Sequence, residues 1–271
     1  MRPSRQAVLK LYSSGARLLI LAGLVLSGCA VAPAPSPPPA PGASLSREAL
    51  LAGFARRMEL LQSLRSPYRV RYRNRQERGG FHGAILVRRP DGLRLETLSL
   101  VGALLVLTAD GDEVMAFLPR EKVILRGKSS KANLLRFTRI PLGLNELTSL
   151  LLGLPPVKVE GAWDGNGSTF ERGLPGGGGE RVVLDSASGL PLQWQRTGPG
   201  GVEGLTANFS EFFETGAGLF PSKIALLHGP GESSWEIRYR EPDVNVDMPR
   251  SLFVQQTPGA VRELPFESLG G

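Results

Sequence analysis

The sequence predicts a mainly β protein in which about eleven strands form one strongly curved antiparallel sheet with helices over its concave face. Apolar and polar residues alternate through most of the chain, and turn residues separate the alternating segments. Only two segments have a helical period. No second block of composition follows, so we expect one folded domain at residues 45–253 and an aperiodic tail at residues 254–271.

The N-terminus has the pattern of an export signal that ends in a lipid attachment site. Residues 1–28 carry four basic residues and no acidic one, and their apolar run at 18–26 is far shorter than the ~20 residues of a membrane-spanning helix. The run Leu-Ser-Gly-Cys that follows resembles the lipobox of bacterial lipoproteins, and its Cys29 is the only cysteine of the chain. We therefore predict that Cys29 is acylated; the alternative is an ordinary secretory signal with an incidental cysteine.

Removal of this signal changes what the charge implies. The formal net charge falls from +7 to +3 without residues 1–28. The basic character is then a weak indication of nucleic-acid binding, and export places the protein outside the cytoplasm, so we predict no nucleic-acid partner. Residues 29–44 are rich in proline and favour an extended conformation of ~3.1 Å per residue, which is typical of a semi-rigid tether.

A helix is predicted to begin at Ser46, because Leu50, Phe54, Met58 and Leu61 form one apolar stripe, and to end before Pro67. Alternation then predicts a strand at residues 68–73, a hairpin of 81–89 and 93–98 around a Pro-Asp-Gly turn, and further strands at 103–108, 114–118 and 122–126.

A second helix is predicted after Asn145, which we expect to cap it, with leucines on its apolar face and an end at Gly153. The remaining strands are expected at residues 157–163, 181–185, 190–196, 206–213, 222–227 and 234–240. The glycine-rich segment 164–179 is predicted to be a loop.

The residues typical of catalysis and metal binding are scarce. His82 and His228 are the only histidines, and neither lies in a recognisable catalytic motif. Gly127-Lys128-Ser129 is not the end of a phosphate-binding loop, because Lys122 stands where that motif needs glycine. We therefore predict a protein that is not an enzyme and has no catalytic residue, metal site or cofactor.

Two kinds of surface indicate a partner. On a lipidated domain, two basic stretches either contact anionic head groups or an acidic partner, or are ordinary solvated strand faces; they comprise Arg69, Arg71, Arg73, Arg75 and Arg78, and Arg120, Lys122, Arg126, Lys128, Lys131, Arg136 and Arg139. An apolar segment at residues 98–105 surrounds Gly102, where a polar turn is expected. This segment is either buried under the leucine-rich helix or protrudes and inserts into lipid.

The chain thus has a lipobox, an N-terminal amphipathic helix, an apolar loop at residues 98–102, and the sequences IPLGLNEL at 140–147 and LGLP at 152–155. Together these resemble the LolB family of outer-membrane lipoprotein receptors, and FPSKI at 220–224 extends the similarity. The resemblance implies an unclosed antiparallel β-barrel with an α-helical lid and an apolar cavity. In that family the cavity accepts lipoprotein acyl chains from a periplasmic carrier, a LolA-like protein, and releases them into the outer membrane.

Carried onto this sequence, the resemblance implies that Leu100 and Val101 form the membrane-insertion loop. Ala30 after Cys29 favours the outer membrane, on its periplasmic face, as the location of the anchored protein. Our candidates for the acyl-binding cavity, each of which is alternatively an ordinary core residue, are Phe54, Met58, Leu61, Tyr68, Val70, Tyr72, Phe81, Ile85, Leu93, Leu95, Leu147, Leu150 and Leu151. Two other functions stay open: a non-catalytic envelope scaffold, and a hydrolase of envelope lipids or glycans.

Overall fold

The computed structural model describes residues 44–201, 204–229, 232–257 and 259–266. The predicted export signal, Cys29 and the tether up to residue 43 lie outside the described residues. The described part of the chain contains three α-helices and fourteen β-strands: α1 (Arg47–Leu60), β1 (Ser63–Arg73), β2 (Arg78–Arg88), β3 (Gly92–Ser99), β4 (Gly102–Asp110), β5 (Glu113–Leu118), β6 (Val123–Lys128), α2 (Lys131–Thr138), α3 (Leu144–Leu151), β7 (Thr169–Gly173), β8 (Gly179–Leu184), β9 (Pro191–Thr197), β10 (Leu205–Thr215), β11 (Gly218–His228), β12 (Ser233–Tyr239), β13 (Asp243–Val244) and β14 (Arg262–Pro265).

All the strands belong to one sheet, in the order β14-β6-β5-β4-β3-β2-β1-β12-β11-β10-β9-β8-β7, with the short β13 also paired to β1. Neighbours are antiparallel except β14 and β6, which are parallel. The outermost strands β14 and β7 do not pair with each other, so the sheet is not closed. This confirms the predicted fold class, a mainly β, unclosed antiparallel barrel with helices over it.

The first helix ends earlier than predicted. The Ser46 side chain caps α1 by accepting a hydrogen bond of 3.2 Å from the Ala49 N–H, but the helix stops at Leu60. Pro67, the predicted terminator, lies inside β1, where the neighbour changes from β13 to β12. Because no ladder hydrogen bond is required from its nitrogen at this change of partner, proline is tolerated within the strand.

Three other segments differ from the sequence expectation. Residues 157–163 form no strand. The alternating apolar side chains Val157, Val159 and Trp163 pack against the core. The Lys158 carbonyl accepts a hydrogen bond from the Arg172 side chain and not from a neighbouring strand. The glycine-rich segment contains β7, which buries Phe170. The tail contains β14, so the sheet has more strands than the eleven expected.

The helices between β6 and β7 also differ from the sequence expectation. Gly143, not Asn145, is the N-cap residue of α3, and its N–H donates to the Glu146 carboxylate over 3.0 Å. The unpredicted helix α2 is capped by the Ser130 hydroxyl, which accepts from the Asn133 N–H. At the end of α3, Gly153 adopts a φ of +69°, and a Cβ there would lie 2.5 Å from Pro221 Cγ. Glycine is therefore required by both backbone and packing.

The core lies between the sheet and the three helices, with α1 and α3 contributing most of the helical side. Leu147, Leu150 and Phe54 are almost completely buried there. Among the described residues, every helix is too short or too polar to cross a bilayer.

Candidate functional site

An apolar cavity lies between the concave face of the sheet and the segment that runs from the end of α2 to α3. The cavity has a volume of about 50 Å³, and part of it is open to solvent. The space in this conformation is thus narrow. Its lining residues come from β1 to β4, β12, α2, α3 and the connection between these two helices: Tyr68, Val70, Phe81, Ile85, Leu95, Thr97, Leu105, Leu107, Phe137, Thr138, Ile140, Leu147, Leu151, Trp235 and Ile237.

Seven of the sequence-predicted cavity residues line this space, and the other six do not. Those at the cavity are Tyr68, Val70, Phe81, Ile85, Leu95, Leu147 and Leu151. Four of the others, Phe54, Leu61, Leu93 and Leu150, are buried in the core away from it, whereas Met58 borders an open depression beside Arg89 and Tyr72 packs over Gly79.

The position of α1 explains why its residues are absent from the cavity. Arg47 donates to the Thr169 carbonyl and lies over the Phe170 ring at 4.3 Å, which places the start of α1 on β7. Arg57 donates to the Leu219 carbonyl over 2.7 Å, which places its end on β11. The helix therefore covers the opposite part of the sheet, and α3 covers the cavity.

Eight lining residues were not predicted. Four of them follow the alternation already visible in the sequence, since Leu105 and Leu107 in β4, and Trp235 and Ile237 in β12, face inward on their strands. The others are Thr97 in β3 and Phe137, Thr138 and Ile140 from the region of α2. The signal for α2 was Ser130 as a cap, followed by Leu134 and Phe137 three residues apart.

Few polar groups reach the cavity. The Tyr68 hydroxyl is buried with Thr97 as its polar neighbour, but the geometry falls short of a hydrogen bond. Burial raises the pKa of Tyr68 to about 12. The wall therefore presents an uncharged surface to any occupant.

Two hydroxyl groups fix α3 to the sheet. The Tyr239 hydroxyl donates to the Leu151 carbonyl over 2.8 Å, and burial raises the pKa of Tyr239. The Thr148 hydroxyl donates to the Pro90 carbonyl over 2.7 Å. One bond holds the C-terminal end of the helix against β12, and the other holds its middle against the β2–β3 connection.

A partly buried ion-pair group, formed by Glu146, Arg172, Glu180 and Arg196, fixes the N-terminal end of α3. The Glu180 side chain, 1% exposed, accepts two hydrogen bonds from Arg172, at 3.0 and 2.6 Å, and two from Arg196, at 3.0 and 2.7 Å. Arg196 also pairs with Glu146 in the first turn of α3. Burial by itself lowers the pKa of Arg196, but hydrogen bonds to Glu180 and Glu146 outweigh it, and the net pKa is raised.

The predicted insertion loop is the connection between β3 and β4, two strands that line the cavity. Leu100 is fully exposed and Val101 is 83% exposed. The Ser99 hydroxyl accepts from the Val101 N–H over 3.3 Å and donates to the Gly102 carbonyl over 2.9 Å, which closes the turn. The two apolar side chains therefore project into solvent and are not covered by α3.

The remaining candidate residues do not converge on a site. His82 lies on β2 and His228 on β11, and two strands separate these in the sheet. In the part of the chain that the structure describes, no three His, Cys, Asp or Glu side chains are grouped as metal ligands. Several basic residues pair locally, among them Arg71 with Glu236 and Arg126 with Glu113.

Comparison with known proteins gives a result for the fold. No family model and no curated protein matches the chain. A domain classed as an outer-membrane lipoprotein-sorting protein from Vibrio parahaemolyticus superposes with a TM-score of 0.53 at 15% identity, covering 75% of this chain and 95% of that one. A LolA superfamily protein from Nitrosomonas europaea gives 0.51 at 10% identity, with 78% and 99% covered, and a DUF1329 family protein from Desulfovibrio piger gives 0.50 at 12%, with 76% and 96% covered. The protein therefore has the LolA/LolB-type fold that its sequence motifs predicted.

Proposed function

We propose that this protein is an outer-membrane-anchored lipoprotein that binds the acyl chains of lipoproteins, or of other lipids, and helps to insert them into the outer membrane. The observation that carries the proposal is the apolar cavity on the concave face, with an exposed apolar loop on two of the strands that form its wall. An acyl chain of ~16 carbons gains on the order of 12 kcal/mol from burial in apolar surroundings. A cavity without charged lining residues therefore suits such a chain.

The narrow cavity requires that α3 and the end of α2 move when a full acyl chain enters. The contacts that hold α3 involve the Tyr239 and Thr148 hydroxyls and the Glu146–Arg196 pair. None of these is a hydrogen bond between strands. A shift of α3 therefore breaks these polar contacts and separates its buried leucines from the sheet, but it leaves the hydrogen bonds between the strands intact, as a lid requires.

The same strands provide a route from cavity to membrane. Thr97 lines the cavity, and Leu100 is three residues further along, about 10 Å in an extended strand. Transfer runs down an affinity gradient, from a LolA-like carrier to this cavity and then to the membrane. Acylation at Cys29, in this proposal, keeps the domain at the periplasmic face of the outer membrane.

Labelling with a photo-crosslinkable palmitate tests the binding step. The native full chain should be labelled at the strands of the cavity wall. Leu105→Trp should reduce this labelling, because the half-buried Leu105 side chain lines the cavity and a larger ring occupies its space. Leu104→Trp is the matched control, since Leu104 is the neighbouring residue on the other face of β4 and should label as the native chain does.

Absence of label in the native chain would reject the binding proposal and favour the scaffold. Release of free fatty acid from lipid, lost with His82→Ala and His228→Ala together, would instead favour a hydrolase.

The delivery step is tested with Leu100→Glu combined with Val101→Glu. Both side chains are exposed, so the charges should leave the fold and the labelling unchanged. Transfer of a labelled lipoprotein from the protein into vesicles should be blocked, because a carboxylate resists entry into lipid. Unchanged transfer would show that this loop has no part in delivery.

A further inference from the structure

Three neighbouring hairpins turn at the same end of the barrel, and their turns form one edge of it. Because β1 to β6 form a continuous antiparallel meander, the connections β1–β2 (residues 74–77), β3–β4 (100–101) and β5–β6 (119–122) all lie at that edge. Adjacent strands are ~4.8 Å apart, so successive connections are ~10 Å apart. The apolar connection that carries Leu100 and Val101 lies between the other two.

The β1–β2 hairpin places two guanidinium groups opposite each other. Arg73 and Arg78 are direct cross-strand partners, and both are exposed. No described acidic side chain forms an ion pair with either of them, whereas the adjacent Arg75 pairs with Glu232. Like charges at directly opposed positions repel. An anion bound between Arg73 and Arg78 would remove this repulsion.

The β5–β6 connection provides a second basic group on the other side of the apolar loop. The Arg120 guanidinium donates to the Ser99 hydroxyl over 3.4 Å, so it lies at the base of that loop. Lys122 is exposed two residues later, and Glu121 is the acid between them. Guanidinium and ammonium groups are the side chains that bind phosphate oxygens.

We propose that this edge binds the phosphate groups of anionic phospholipids, with Arg73 and Arg78 on one side and Arg120 and Lys122 on the other. The arrangement matches the layers of a membrane: the central apolar loop enters the acyl region while the flanking basic residues meet the head groups above it. An acidic protein surface offers no apolar layer between two anionic ones. The inference rests on the proposed function, because both place the β3–β4 connection in the membrane.

Vesicle binding of the chain that begins at residue 29 tests the proposal, because the predicted export signal at residues 1–28 is itself basic and apolar and would bind vesicles. Cys29→Ser is used throughout, so that no acyl group at this position masks the interaction. The native residues at the edge should give tighter binding to phosphatidylcholine vesicles containing phosphatidylglycerol than to phosphatidylcholine alone. Arg73→Gln with Arg78→Gln, and Arg120→Gln with Lys122→Gln, should each weaken binding to the anionic vesicles about 25-fold, because one basic residue near such a surface contributes about fivefold. Binding to neutral vesicles should not change.

Lys128→Gln with Lys131→Gln is the matched control. Both lysines are exposed and lie at the opposite end of β6 and the start of α2, and their replacement removes the same two positive charges. The proposal is overturned if the edge variants bind anionic vesicles as tightly as the native residues, or if the control pair weakens binding equally. Equal binding of the native protein to anionic and neutral vesicles also overturns the proposal, and would favour an acidic protein as the partner of these basic residues. Palmitate labelling of the same preparations reports on the cavity separately, so failure there rejects the proposed function without touching the head-group result.

Discussion

Replacing Glu180 with glutamine should destabilise the protein strongly although the side chain changes by one atom. The carboxylate receives four hydrogen bonds from two arginines, and its side chain is 1% exposed. Arg172 lies over the Trp163 ring at 4.4 Å and Arg196 over the Trp194 ring at 5.0 Å. Both guanidinium groups are thus held in place, and neither can turn towards another hydrogen-bond acceptor. The amide removes the negative charge that compensates two partly buried positive ones.

The expected loss follows from the burial of the three groups. Removal of one partner from a buried ion pair costs about 3–5 kcal/mol. The Arg172 and Arg196 side chains are 17% and 28% exposed, and Arg196 keeps Glu146 as a second partner. We therefore expect the lower end, a decrease of about 3 kcal/mol in the free energy of unfolding, or roughly 100-fold in the unfolding equilibrium.

Urea unfolding at neutral pH, followed by tryptophan fluorescence, measures this loss. Glu171→Gln is the matched control, because Glu171 pairs with Arg181 at 3.3 Å in the same hairpin and both side chains are about half exposed. An exposed pair contributes about 0–1 kcal/mol, so the control should be nearly silent. Equal losses for the two variants would refute the reasoning that burial makes the Glu180 carboxylate essential.

Two further changes test the cavity wall and the end of α3. Tyr68→Phe should increase the free energy of unfolding by about 1 kcal/mol, because it removes a buried hydroxyl without a hydrogen-bond partner. Burial raises the pKa of Tyr68 to about 12, so its neutral form stabilises the fold below the ordinary tyrosine pKa of ~10, and this stabilisation is lost as the pH rises towards 12. Native stability should therefore fall more steeply than that of Tyr68→Phe in this range; parallel pH profiles would contradict the assignment. Gly153→Ala should cost about 3 kcal/mol, since its positive φ and a close neighbour both oppose a Cβ, whereas Gly167→Ala, also at positive φ but in open space, should cost about 1 kcal/mol in the same urea assay. Equal costs would show that the contact at Gly153 relaxes freely.

The strands that face solvent on one side were the most predictable elements. Along β1, Tyr68 and Val70 point inward while the arginines between them point outward, so the alternation was visible in the sequence. The strand β14 gave no such signal, because its four residues pair in parallel with β6 through contacts distant in sequence. The strand β7 was missed because glycine-rich turns surround its five residues.

The candidate site was predictable only in part for a different reason. An inward-facing apolar side chain has the same sequence pattern whether it borders a cavity or fills the core. Leu93 and Leu95 both face inward on β3, yet Leu95 lines the cavity and Leu93 is fully buried away from it. What separates them is their position along the strand, because the cavity extends towards the β3–β4 end, where Thr97 also lines it.

The gap between the outermost strands β14 and β7 determines how the diameter of the barrel can change. In a closed barrel, strand number and stagger fix the diameter, and widening requires rupture of a hydrogen-bonded seam. Here no described pairing joins β14 to β7. Widening of the barrel therefore costs side-chain contacts of about 0.1–0.2 kcal/mol per atom pair and keeps the hydrogen bonds between paired strands. The barrel can therefore widen without the loss of any hydrogen bond between its strands.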